Sequence, residues 1–122
     1  MDWQKKSILI AEDDDTNYYL LEEYLEPTAI HIYRAYNGLE VFEILAKSMP
    51  DLILMDIKMP KMSGLEAISK IRESNLEIPI IAQTAYAMHG DEEKIIIRGC
   101  NDYISKPINE DVLLKKLEKY LV

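Results

Sequence analysis

Three acidic side chains follow predicted strands, at the end where a protein with a parallel sheet usually has its functional site. Asp56 ends the apolar run 52–55, and Glu12 and Asp13 follow the apolar run 7–11. Both runs have the pattern of strands that are covered on both faces, as in a parallel sheet flanked by helices. Ligands collect at the carboxyl ends of the strands in such sheets, so these acids are candidates for function. Taken alone, an acid at a strand end is also a common turn residue or helix cap.

Two more polar residues follow predicted strands, Thr84 after strand 78–83 and Lys106 after strand 101–105. Right-handed crossovers bring all the carboxyl ends to one rim, so three carboxylates, a hydroxyl and an ammonium would share a crevice. Neighbouring carboxylates raise one another's pKa unless a cation neutralises them. A site made of oxygen ligands suits Mg²⁺. It does not suit zinc, because no thiolate or pair of histidines is in position to bind it. The set fits phosphoryl transfer onto Asp56, with the metal and Lys106 taking up charge on the phosphoryl oxygens.

The elements that must position these residues alternate along the chain. The strands are predicted at residues 7–11, 29–34, 51–56, 78–83 and 101–105. The helices are predicted at 16–26, at 39–48, from about Ser63 with Leu65, Ile68 and Ile71 on one face, at 92–98, and from a cap at Asn109 onward. Five strand–helix pairs imply an α/β fold, a doubly wound parallel sheet with helices on both faces.

Composition predicts one domain, residues 1–122, with 48% hydrophobic and 30% charged residues, typical of a globular protein. The net charge of -8 argues against direct binding of nucleic acid, which needs clustered Lys and Arg. No apolar run is long enough for a membrane span or a signal peptide, so we expect a cytoplasmic protein without direct membrane contact. The single cysteine, Cys100, allows no intramolecular disulfide, and we expect it to be a small buried apolar residue.

Five ordered motifs make the chain similar to the receiver domains of two-component signalling, found in response regulators and hybrid histidine kinases. They are Glu12-Asp13, Asp56 within Met-Asp-Ile-Lys-Met-Pro with Ser63-Gly64 after it, Thr84-Ala85, Tyr103, and Lys106-Pro107. The segments 83–88 and 102–108 look most like receiver modules of hybrid kinases. The resemblance covers nearly the whole chain and implies a flavodoxin-like (βα)5 fold with strand order 2-1-3-4-5.

The same resemblance implies roles for the rim residues. Asp56 would be the phospho-acceptor, and Lys106 would pair with it or with its phosphoryl group. Mg²⁺ would be held by Glu12, Asp13 and Asp56 with the main-chain carbonyl of Lys58.

The resemblance also implies a conformational switch and residues that control the lifetime of the acyl phosphate. Thr84 would bond a phosphoryl oxygen, and Tyr103 would turn inward when Thr84 moves. The 106–107 peptide bond is expected to be cis. Lys58 and Tyr86 occupy positions that vary in the family, and their bulk would shield the acyl phosphate from water, which predicts slow loss of phosphate.

The implied function is that of a signalling module and not of an enzyme. Its partners would be the dimerisation and phosphotransfer domain of a histidine kinase or a histidine phosphotransfer protein. The first helix and the surface of the fourth and fifth helices are the expected contact faces, and the latter would also serve a weak homodimer.

Two other classes share parts of this pattern. Phosphatases that form an aspartyl phosphate carry a second acid two residues after the first and a large cap, but this chain has Lys58 there and no length for a cap. A flavin-binding module needs a Ser/Thr/Gly-rich phosphate loop after its first strand, whereas residues 12–15 are acidic and would repel phosphate.

Three residues receive simpler interpretations, and a fourth receives none. Asp14 and Asp15 are expected to be helix cap and solvated surface, and Trp3 a surface aromatic near the terminus. Gln83 is polar where such strands more often carry an aliphatic residue, and the sequence offers no physical reason for it.

Overall fold

Five strands form one parallel sheet in a computed structural model that describes residues 2–74, 76–85 and 99–121. They are β1 (Ser7–Ala11), β2 (His31–Ala35), β3 (Leu52–Asp56), β4 (Ile80–Thr84) and β5 (Asp102–Ser105). Their order is β2-β1-β3-β4-β5, and every neighbouring pair is parallel. This is the predicted doubly wound, flavodoxin-like topology.

The described helices cover both faces of the sheet. They are α1 (Asp15–Leu25), α2 (Gly38–Lys47), α3 (Gly64–Glu73) and the C-terminal helix (Glu110–Leu121), with a short 3₁₀ turn at Glu26–Thr28. The predicted helix at 92–98 and Tyr86 lie outside the described residues.

Alternate strand residues enter two separate cores. One core joins α1 and the C-terminal helix to Ile8, Ile10, Leu52, Leu54 and Ile81. The other joins α2 and α3 to Leu9, Ile53, Met55, Ile80 and Ala82. Because both faces are covered, β3 and β4 are buried along their whole length, which explains the apolar runs 52–55 and 80–82. The alternation decides which helices the residues at the strand ends will meet.

Two strands are shifted relative to the sequence-based prediction. The second strand begins at His31 and not at residue 29, because Ala29 follows the 3₁₀ turn in a left-handed conformation with φ 62°. The fourth strand begins at Ile80, after Pro79, and extends to Thr84, whose carbonyl accepts a hydrogen bond of 2.8 Å from the Lys106 amide. Thr84 is therefore part of the sheet and not of the loop.

The described α-helices begin with a capping side chain. Asp14 caps α1 by accepting from the Asn17 amide at 3.2 Å, and Ser63 caps α3 by accepting from the Glu66 amide at 3.2 Å. Asn109 accepts from the Val112 amide at 3.1 Å at the start of the C-terminal helix. The prediction that Asp14 is a helix cap is thus confirmed.

The expectation that Trp3 is a surface aromatic is wrong. Its side chain is buried in the core beneath α1, and its amide donates to the Thr28 carbonyl at 2.7 Å. The residue precedes the first strand, where no periodic pattern indicates a face, so only the tertiary contact with the 3₁₀ turn reveals its burial.

Gly64 lets the start of α3 approach the end of β3. Its amide donates to the Ile57 carbonyl at 2.8 Å. A Cβ at this position would overlap the Asp56 carbonyl oxygen and come within 2.8 Å of the Ile57 Cα, both of which are backbone atoms that cannot move aside cheaply. Gly64 therefore helps to determine the path of the loop that follows Asp56.

We predict that Gly64→Ala lowers the free energy of unfolding by about 1–3 kcal/mol, because the added methyl overpacks the backbone at the end of β3. Urea unfolding measures the change. Lys70→Ala, at an exposed position of the same helix, is the control and should leave the stability within about 0.5 kcal/mol. Equal stabilities of Gly64→Ala and the wild type would contradict the close packing.

Candidate functional site

The three predicted acids meet at the carboxyl end of the sheet. One carboxylate oxygen from each of Glu12, Asp13 and Asp56 lies within 4.8 Å of the other two. Glu12 and Asp56 are buried, with 0% and 4% exposure, whereas Asp13 is exposed. Hard oxygen ligands with one side open to water are a donor set that fits Mg²⁺, which keeps several of its waters in proteins.

Lys106 supplies one positive charge to this cluster. Its Nζ lies 2.9 Å from Asp56 Oδ2 and 3.3 Å from Glu12 Oε1. Burial works to lower the pKa of Lys106, but the hydrogen bond and charge of Asp56, with those of Glu12, raise it above its ordinary value. Lys106 therefore stays charged, and three carboxylates with one ammonium retain an excess of negative charge.

Holding Glu12 in this arrangement has an electrostatic cost. Burial and the neighbouring Asp56 raise its pKa, and the opposing effects of Asn17 and Lys106 do not cancel them. An ionised carboxylate in this position lacks full compensation from the protein. A divalent cation would provide it, which is the physical reason to regard the cluster as a metal site.

The main chain at Glu12 is held by Arg34 on the edge strand. Arg34 Nε and Nη2 donate to the Glu12 carbonyl at 3.3 and 3.1 Å, and Nη2 also pairs with Asp15 at 2.8 Å. The guanidinium lies between the rings of Tyr18 and Tyr36, 4.1 and 4.0 Å from their centroids. The expectation of a surface Asp15 is confirmed, but sequence reasoning missed Arg34, whose only signal was a cation at the end of an alternating edge strand.

The side chain of Glu12 is held from the opposite direction by α1 and β4. Asn17 Nδ2 donates to Glu12 Oε1 and, at 3.1 Å, to Gln83 Oε1, while the Asp14 amide donates to Glu12 Oε2 at 3.3 Å. Asn17 was also missed by sequence reasoning. The signal available was its place in the first turn of a helix that begins at the acidic rim.

The Asp56 carboxylate is held by the loop after β3. The Lys58 amide donates to Asp56 Oδ1 at 3.2 Å, and the Lys58 side chain is exposed. The two oxygens of Asp56 thus have different partners, an amide on one and the Lys106 ammonium on the other. The ligand role of the Lys58 carbonyl remains a prediction.

Thr84 and Tyr103 lie on adjacent strands beside the acids. Thr84 is buried at the end of β4, and Tyr103 is half-buried on β5, paired in register with Ala82. The peptide bond between Lys106 and Pro107 is cis, as expected. Cys100 is buried, as expected, and burial raises the pKa of its thiol to about 11.

The family model of the response regulator receiver domain matches residues 8–118. The chain belongs to this family. It is a receiver domain of two-component signalling, and the predicted fold and family are confirmed.

Curated and solved relatives agree with this assignment. The polar-differentiation response regulator DivK of Brucella anthropi is 42% identical over 118 residues, covering 95% of this chain and 96% of that protein. The receiver domain of the sensor histidine kinase PA1611 of Pseudomonas aeruginosa, solved with a magnesium ion coordinated in its active site cleft, is 31% identical with a TM-score of 0.86, covering 95% of this chain and 97% of that one.

A third similarity is to a chain from a complex. It belongs to the co-crystal structure of the Saccharomyces cerevisiae histidine phosphotransfer signaling protein Ypd1 with the receiver domain of its downstream response regulator Ssk1. The identity is 32% and the TM-score 0.88, covering 94% of this chain and 88% of that chain. Because the relatives include both a response regulator and a sensor-kinase receiver, the finer likeness to hybrid-kinase modules stays a prediction.

Receiver domains are in general signalling modules that bind Mg²⁺ in an acidic site and exchange phosphate with histidine kinases or phosphotransfer proteins. Across the three described ranges of the chain, no helix has the length and apolar character needed to cross a membrane.

We predict that Arg34→Lys lowers the free energy of unfolding by about 2 kcal/mol. An ammonium cannot donate from several nitrogens at once to the Glu12 carbonyl and Asp15 while it packs against two rings. Urea unfolding is the measurement. Tyr36→Phe keeps the stacked ring and should be as stable as the wild type, whereas Tyr36→Ala should lose part of what Arg34→Lys loses. A fully stable Arg34→Lys protein would show that the stacked arrangement contributes nothing.

Proposed function

We propose that this receiver domain accepts a phosphoryl group on Asp56 from a phosphohistidine donor, in a reaction that depends on Mg²⁺. The observation that carries the proposal is the buried Asp56 carboxylate, 2.9 Å from Lys106 Nζ and within 4.8 Å of two further carboxylates. A nucleophile, a fixed cation and a divalent-metal site are the parts that phosphoryl transfer needs.

In the proposed reaction, a carboxylate oxygen of Asp56 attacks phosphorus in line with the phosphorus–nitrogen bond of the donor. The new phosphorus–oxygen bond forms as the imidazole leaves with the electron pair and takes a proton from solvent. Lys106 takes up charge on the phosphoryl oxygens throughout. Mg²⁺, held by Glu12, Asp13, Asp56 and the Lys58 carbonyl, would neutralise the remaining charge of the group in transfer.

Thr84 and Tyr103 are proposed as the conformational switch. Thr84 would move to bond a phosphoryl oxygen, and Tyr103 would turn inward into the space it leaves. The proposal is supported by their adjacent strands and by the hydrogen bond from the Lys106 amide to the Thr84 carbonyl, 2.8 Å, which links the switch to the site.

For partners, we propose a histidine kinase phosphotransfer domain or a histidine phosphotransfer protein, with residues 1–122 acting as one receiver domain and not as an enzyme on small molecules. The Ypd1 complex of the similar Ssk1 receiver supports this class of partner. The exposed Tyr19 and the groove of about 500 Å³ along α1 that it helps to line provide a surface beside the site. The net charge of -8 argues against a direct contact with nucleic acid.

Incubation with acetyl phosphate tests the central proposal. We expect intact mass to show a single phosphoryl adduct that requires Mg²⁺, disappears with EDTA and is absent from Asp56→Asn. Asp51→Asn is the matched control, because Asp51 lies just before the other end of the same strand. An adduct that persists in Asp56→Asn, or none on the wild type with Mg²⁺, would refute the assignment of Asp56.

A second prediction concerns the lifetime of the phosphorylated protein. Replacing Lys58 and Tyr86 together by serine should shorten the half-life of the acyl phosphate, because the resemblance to receiver domains implies that bulky side chains at these two positions exclude an attacking water. The decay of the adduct mass after removal of donor measures it. Lys70→Ser, at an exposed position of α3, is the control. An unchanged half-life in the double variant would mean that neither residue shields the site.

A further inference from the structure

The side chain of Gln83 is a buried polar group that the fold itself does not require. It is 0% exposed on a strand whose preceding residues, Ile80, Ile81 and Ala82, are all apolar. Its backbone lies directly beside Asp56 in the β3–β4 register. Its Oε1 accepts from Asn17 Nδ2 at 3.1 Å, but Nε2 is buried without a hydrogen-bond partner, the one such side-chain atom in the described part of the chain.

The charge on Glu12 explains why this nitrogen has no partner. An ionised carboxylate only accepts hydrogen bonds, so Asn17 must turn its amide nitrogen toward Glu12. The second hydrogen of the same nitrogen then points at Gln83, which must present its carbonyl oxygen. If the Gln83 amide were turned over, its Nε2 donor would face the Nδ2 donor of Asn17. Gln83 therefore keeps its oxygen toward Asn17, and Nε2 faces no acceptor.

This arrangement makes Gln83 unfavourable as a packing residue. A buried donor without an acceptor destabilises the folded state, and an apolar side chain of similar size would fill the space without that cost. What Gln83 does provide is a second anchor for the Asn17 amide. Asn17 in turn holds Glu12 Oε1, the oxygen that lies 3.3 Å from Lys106 Nζ.

We propose that Gln83 is a positioning residue that acts through Asn17 to hold the Glu12 carboxylate in the orientation that binds a divalent cation. The inference rests on the proposed Mg²⁺ site and adds to it the residues that orient one of its acids. Partners that orient a metal-binding side chain raise affinity because the ligand is already in place before the ion arrives.

The test is a titration of the isotopically labelled protein with MgCl₂, followed by ¹H–¹⁵N NMR, with thermal unfolding of the same samples. Gln83→Met removes the amide and keeps the volume. We expect it to melt at or above the wild-type temperature and to bind Mg²⁺ about tenfold more weakly. The side-chain amide signal of Asn17 should also shift in this variant before any metal is added, because its hydrogen bond to Gln83 Oε1 is lost.

Two further variants test whether Gln83 acts on Glu12 through Asn17. Ile81→Met, buried on the same face two residues earlier, is the matched control and should bind Mg²⁺ as the wild type does. Asn17→Ala should weaken binding, and adding Gln83→Met to it should weaken binding no further, because two residues on one route are not additive.

The outcomes separate this inference from the proposed function. A wild type that binds no Mg²⁺ overturns the metal site and the inference with it. A wild type that binds Mg²⁺ while Gln83→Met binds equally well overturns only the role of Gln83. If the losses of Mg²⁺ affinity in Asn17→Ala and Gln83→Met add fully in the double variant, Gln83 does not act through Asn17. The same conclusion follows if Gln83→Met melts well below Ile81→Met.

Discussion

The crowding of three carboxylates at the end of a parallel sheet is the constraint on which the rest of this structure depends. Two of them are buried, and the protein offers Lys106 as their close cationic partner. The sheet can tolerate this arrangement because its hydrophobic core lies behind the rim on both faces. The uncompensated charge favours a divalent cation, which is the physical basis of the proposed function.

Several contacts serve to keep these like charges together. Arg34 holds the main chain of the acidic loop from the edge strand, and Asn17 with Gln83 holds the Glu12 side chain from α1 and β4. Gly64 allows the loop after Asp56 to pass close to α3. Each contact opposes the tendency of the carboxylates to move apart into water, so the site is organised before any ion or phosphate binds.

Sequence reasoning reached the fold, the family and the acids because each has a local signal. Buried parallel strands read as unbroken apolar runs, and Glu12 and Asp56 directly follow such runs, whereas Lys106 follows a short predicted strand of mixed polarity. Element ends were less certain. The start of β2 depends on the left-handed Ala29, and β4 includes Thr84 because of its hydrogen bond with the neighbouring strand. Trp3 was misplaced because burial of an isolated aromatic depends on contacts distant in sequence.

The sequence by itself determined which chemistry is available: acids, an ammonium and a hydroxyl at the ends of strands that must be parallel, in the order of a receiver domain. Only the tertiary structure decided how those groups are held. Arg34, Asn17 and Gln83 are separated along the chain and have no shared periodicity. The bonds of Arg34 and Asn17 to Glu12, and of Asn17 to Gln83, therefore appear only when β2, α1 and β4 are packed together. Periodicity reports which face of an element is buried, whereas a hydrogen bond between elements depends on distances that no local pattern contains.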